Sequence, residues 1–174
     1  ELTTSEASNT DVILPTYNFD FRQVSSTSIT DNIGGLSATY YGGMSSTVSD
    51  GASADGSDDY IQLQSFEFGG TFSIEIYFQY TAIPYSFTRV FQTENSGVTS
   101  GTTFNLTEYS GNGYLAVQSY GNSAFNTYPA SATISTNVWI HMVITMNNNT
   151  IKVYQDGSLI KTNTNANSQT VGIR

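Results

Sequence analysis

Residues 138–162 read VWIHMVITMNNNTIKVYQDGSLIKT. Three strand signals follow one another in this stretch. Val138–Met146 is apolar on both faces, with Trp139, Ile140, Met142, Val143 and Ile144, which predicts a central strand covered on both sides. Ile151–Gln155 and Ser158–Thr162 flank Asp156-Gly157, a pair that adopts positive φ at little steric cost and closes two-residue hairpins.

Working outward, Thr71–Tyr80 is the clearest single strand. Phe72, Ile74, Ile76 and Phe78 share one face, and Ser73, Glu75, Tyr77 and Gln79 share the other. Further strands are expected at Phe87–Thr93, Thr102–Glu108 and Gly113–Ser119, with short ones near Ala38–Tyr41 and Asp59–Leu63. Val12–Phe21 reads as the first strand, because Tyr17, Phe19 and Phe21 alternate with polar neighbours. Gly34-Gly35, Gly42-Gly43, Asp50-Gly51 and Asp55-Gly56 mark turns. No stretch keeps a helical period. Residues 1–10 are polar and aperiodic and read as a linker or tail, leaving one domain over residues 11–174. Many short strands joined by Gly-rich turns predict an all-β sandwich or barrel.

Composition narrows the function. Five Lys plus Arg stand against fourteen Asp plus Glu, giving a formal charge of −9. Nucleic acid and anionic lipid are bound by clustered cations, so neither is expected as a partner. There are no cysteines, which excludes disulfides, thiolate metal sites and a Cys nucleophile. No apolar run is long enough to insert into a membrane as a helix.

Three segments, taken in order, resemble the laminin-G-like, concanavalin A-like family of jelly rolls. They are Asp55-Gly56-Ser57-Asp58-Asp59-Tyr60-Ile61, then Phe72-Ser73-Ile74-Glu75-Ile76-Tyr77-Phe78, then Trp139 with His141 and Thr145 leading into Ile151-Lys152-Val153-Tyr154-Gln155-Asp156-Gly157. The resemblance covers about residues 12–174. It implies two packed antiparallel sheets forming a jelly-roll β-sandwich, with one sheet concave. It also implies one further strand beyond Val171-Gly172-Ile173-Arg174, where this chain stops. An edge left open there invites pairing, either with a neighbouring domain or subunit or with residues 1–11 folding back.

Catalytic motifs are absent. Glucanases of this superfamily carry an E-x-D-x-x-E strand, in which alternate acids share one cleft. Glu75 instead stands alone on its strand, and His141 is the only histidine. Both match structural positions of the family and are read as structural. A glycan-cleaving enzyme would need carboxylates from different strands to meet, such as Glu75 and Glu108 at about 5–10 Å. The resemblance implies a Ca²⁺ rim, whose matching positions are Glu94 and Asn95 with Asn165 and Asn167 opposite; Asp58 and Asp59 form a second acidic cluster. Ca²⁺ takes six to eight oxygen ligands, so either set would need help from backbone or water.

Glycan sites place a flat aromatic against the apolar face of a sugar and surround it with amides. Aromatics outside strand periodicity are therefore candidates: Tyr85, Tyr109, Tyr120 and Tyr128, with Asn122 and Asn126 interleaved between the last two. Asn105-Leu106-Thr107 and Asn148-Asn149-Thr150 are glycosylation sequons, the second in an expected hairpin loop. The leading expectation is a non-catalytic carbohydrate- or glycoprotein-binding adhesion module of a larger protein, displayed outside the cell, on a cell surface or on a virion. The alternative is a structural building block of such a surface, with protein contacts only.

Overall fold

A computed structural model describes residues 15–69, 71–82, 88–93, 104–109, 113–119, 127, 134–164 and 170–173. Every regular element among them is a β-strand, and every strand pairing is antiparallel. The chain forms two compact units, residues 1–64 and 65–174.

In the first unit, β1 (Ser28–Thr30), β2 (Ser37–Tyr41), β3 (Ser45–Thr47), β4 (Gly51–Ser53) and β5 (Tyr60–Leu63) build a three-stranded sheet, β1-β2-β5, and a β3-β4 hairpin. Alternation in β2 sends Ala38 and Tyr40 inward, where they join Ile29 and Met44; Phe19, Phe21, Ala52, Ile61 and Leu63 pack against them. The strand expected over Val12–Phe21 is corrected within residues 15–21, which form no ladder. Their backbone bonds go to a loop instead. The Asn18 N–H donates to Asp31 Oδ1, and the Asn18 carbonyl accepts from the Asn32 N–H. Phe19 and Phe21 still reach the core, with rings stacked at 6.2 Å.

The second unit begins with β6 (Phe66–Gly69) and β7 (Thr71–Gln79), followed by β8 (Arg89–Gln92), β9 (Phe104–Tyr109) and β10 (Tyr114–Ser119). It ends with β11 (Trp139–Asn147), β12 (Thr150–Gln155), β13 (Ser158–Asn163) and β14 (Thr170–Ile173). One sheet runs β13-β12-β11-β7, a second runs β10-β9-β8, and β14 pairs with β6. The two larger sheets share one core. Ile140, Met142, Ile144 and Met146 of β11, with Ile151 and Val153 of β12, meet Leu106 of β9 and Leu115 and Val117 of β10. Phe72, Ile74, Ile76 and Phe78 of β7 pack on the same cluster, as their alternation requires. This is the layered β-sandwich that the strand pattern predicts.

The meander of residues 138–162 forms as expected. Asp156 and Gly157 hold φ of 49° and 79°, and the turn they make joins β12 to β13. The expected coverage of both faces of β11 is corrected. β11 is central in its sheet, but only its even-numbered side chains enter the core; on the other face Trp139 is exposed and His141, Val143 and Thr145 are half-buried.

Candidate functional site

That open face is where chemistry gathers. The register of β7 against β11 sets Gln79 opposite Trp139, Tyr77 opposite His141, Glu75 opposite Val143 and Ser73 opposite Thr145. Period two carries all eight to the side away from the core. The rings of Tyr77 and Trp139 stack with centroids 4.8 Å apart and an interplanar angle of 9°. Tyr77 keeps 63% of its surface exposed and Trp139 keeps 42%. The His141 ring meets Tyr77 edge-on at 6.3 Å, and its Nε2 lies 2.7 Å from Glu75 Oε1. Indole, phenol, imidazole and carboxylate thus form one continuous row.

The hairpin turn anchors this row. The His141 N–H donates to Asp156 Oδ1 at 3.0 Å, and the Asp156 N–H donates to the His141 carbonyl at 2.9 Å. Asp156 therefore extends the β11–β12 pairing past its last strand residue and fixes the backbone under His141. Glu75 and His141, both read as structural, meet each other on an open surface, where the Glu75 side chain is 71% exposed.

Of the aromatics and amides singled out from the sequence as glycan or Ca²⁺ candidates, only Tyr109 lies among the described residues. Tyr85, Tyr120, Asn122, Asn126 and Tyr128 lie outside the described residues, as do Glu94, Asn95, Asn165 and Asn167. Tyr109, expected in a loop, is instead the last residue of β9, paired with Tyr114. The sequence reading passed over Tyr77 and Trp139. The available signal was the polar side of Thr71–Tyr80, but only the register to β11 reveals the stack.

Glu75 and Glu108 do not face a common cleft. Glu108 is fully buried on the Leu106 side of β9, and its Oε1 accepts the Gly113 N–H at 2.9 Å. Glu75 points away from the core that Leu106 helps to form. Burial of Tyr80, with the charge of Glu108 adding to it, pushes the Tyr80 hydroxyl up to about 12.

The first unit carries its own acidic cluster between β4 and β5. Carboxylate oxygens of Asp55, Asp58 and Asp59 lie within 4.8 Å of one another. Asp59 Oδ2 accepts the Asp55 N–H at 2.7 Å, and Asp55 Oδ1 accepts the Ser57 N–H at 2.8 Å. Asp59 Oδ1 is buried without a hydrogen-bond partner. A buried carboxylate oxygen with no donor lacks a counter-charge, and three hard oxygen donors suit Ca²⁺. Gly42 makes room for the cluster: a Cβ there would stand 2.5 Å from Asp59 Oδ1, at a φ of +80°. Beside it, Tyr41 and Tyr60 stack at 4.6 Å.

The family model described as Concanavalin A-like lectin/glucanases superfamily, of laminin-G type, matches residues 55–172. No curated protein and no solved structure matches the chain significantly. The match spans the paired strands of the open face as well as the Asp55–Asp59 segment, and most of the chain lies within it. The all-strand, antiparallel architecture and this match together place the chain in the concanavalin A-like lectin/glucanase superfamily.

Proposed function

We propose that this domain is a non-catalytic carbohydrate- or glycoprotein-binding module, an adhesion element displayed on an extracellular, cell or virion surface. At family level a lectin-like or adhesion module is what the superfamily supports. The observation that carries the finer reading is the row Trp139–Tyr77–His141–Glu75. Large aromatics stacked in the open are an informative exception to burial. An apolar ring surface beside hydrogen-bonding groups is the chemistry that a sugar asks for, with its C–H face and hydroxyl rim. The separation of Glu75 from Glu108 supports a role without glycan cleavage. Ca²⁺ held by Asp55, Asp58 and Asp59 belongs to the same reading. When bound it would supply charge balance to these carboxylates and stabilise the segment that carries them.

A glycan array probed with the purified domain, in Ca²⁺ and again in EDTA, tests the reading. Trp139→Ala is expected to weaken every specific signal about tenfold or more, the usual loss when an aromatic anchor is removed. Binding that survives both Trp139→Ala and Tyr77→Ala would remove this face from the function. A surface building block is the second reading. It is favoured by β13, which among the described residues ends its sheet, with Leu159 52% exposed. Concentration-dependent self-association, measured by sedimentation and accompanied by no glycan signal, would select that reading.

A further inference from the structure

We infer that the face of β7 and β11 selects uncharged sugars and rejects acidic ones, with Glu75 as the deciding residue. This rests on the glycan-binding reading and adds the ligand class. The Glu75 side chain is 71% exposed. Its Oε1 is engaged by His141 Nε2, which fixes the carboxylate against the sheet beside the Tyr77 ring. An ionised carboxylate only accepts hydrogen bonds. A group held there reads donors, and adjacent sugar hydroxyls are donors. A sugar carboxylate or sulfate offers the opposite: an acceptor with a negative charge, set against a negative charge.

Among the described residues only His141 sits against that charge, and its imidazole offsets it only when protonated. A second carboxylate, Asp156, adds negative charge nearby, its Oδ1 accepting the backbone N–H of His141. Lys152 stands on β12 opposite Thr145, one row along and two strands away from Glu75. Two unit charges in contact repel enough in bulk water to lower affinity about fivefold, and more where water is displaced. The aromatic pair contributes attraction that does not distinguish neutral from acidic sugars, so discrimination falls to Glu75.

The test uses an array carrying neutral oligosaccharides, each printed beside counterparts capped with sialic acid or sulfate. Wild type and Glu75→Gln are compared; glutamine keeps the size and one acceptor oxygen and removes the charge. Wild type is expected to bind neutral members at least about fivefold more tightly than their acidic counterparts. In Glu75→Gln that gap closes. Acidic counterparts binding wild type as well as neutral ones would overturn the inference while leaving glycan binding in place. A gap that persists unchanged in Glu75→Gln would remove the role of Glu75. Silence across the array, from wild type with a normal melting transition, would sink the glycan reading and the selectivity with it. Matching melting midpoints for the two proteins confirm that the substitution acts on binding and not on folding.

Discussion

At the scale of single residues, Asp31 shows how one buried carboxylate can organise a loop. Its Oδ1 accepts the N–H groups of Asn18, Ile33 and Gly34, and its Oδ2 accepts that of Leu36, all at 2.9–3.0 Å. Burial by itself raises the carboxyl's pKa. The four backbone donors outweigh it and hold Asp31 well below the usual carboxylate range. A folded-state pKa below the unfolded one contributes stability that is present above about pH 4 and is lost as the pH falls further. Asn at this position has one acceptor oxygen and cannot serve both sides of the loop. Asp31→Asn is therefore expected to lower the melting midpoint at neutral pH. Its deficit relative to wild type should shrink steadily as the pH drops below about 4. Thermal melts across that range check this; a deficit independent of pH would mean that the Asp31 charge is not what the loop uses.

At the scale of elements, the two faces of β11 differ in what they do. Ile144 is 1% exposed inside the shared core, whereas Val143, its neighbour, lies half-buried on the face that carries the aromatic row. Ile144→Ala should cost about 2–5 kcal/mol, from lost burial and the cavity left behind. Val143→Ala should cost clearly less, and chemical denaturation of the two variants measures the difference. Equal losses would mean that the outer face is packed as tightly as the inner one. The alternation of β7 was legible residue by residue, because its two faces differ in polarity. The outer face of β11 was not, because Trp139 and Val143 are apolar and mimic a strand covered on both sides. Strands such as Ser28–Thr30 and Ser45–Thr47 are short and rich in hydroxyls, so they give no periodic signal. The candidate site was illegible for a related reason. Glu75 and His141 are 66 positions apart, and only the antiparallel register of β7 and β11 makes them neighbours.

At the scale of the whole molecule, fourteen carboxylates against five cations leave a net charge of −9, and such a chain repels itself. Any salt relieves that repulsion by screening, so a rise in melting temperature with ionic strength is expected and says nothing about a site. A site adds a different signature. A cation bound by Asp55, Asp58 and Asp59 stabilises the folded chain by mass action, by about 2.7 kcal/mol at a hundredfold excess over its dissociation constant. For a chain of this size each kcal/mol corresponds to roughly 2–4 °C. CaCl₂ is therefore expected to raise the melting midpoint beyond NaCl of matched ionic strength, and EDTA should reverse only that excess. Asp59→Asn, which alters the partnerless buried oxygen, should abolish the excess while keeping the common response to screening. Identical midpoints in CaCl₂ and matched NaCl would show that the three carboxylates hold no Ca²⁺. The −9 charge would then act only through its general field, and recognition on the Trp139–Tyr77 face would have to proceed without the ion.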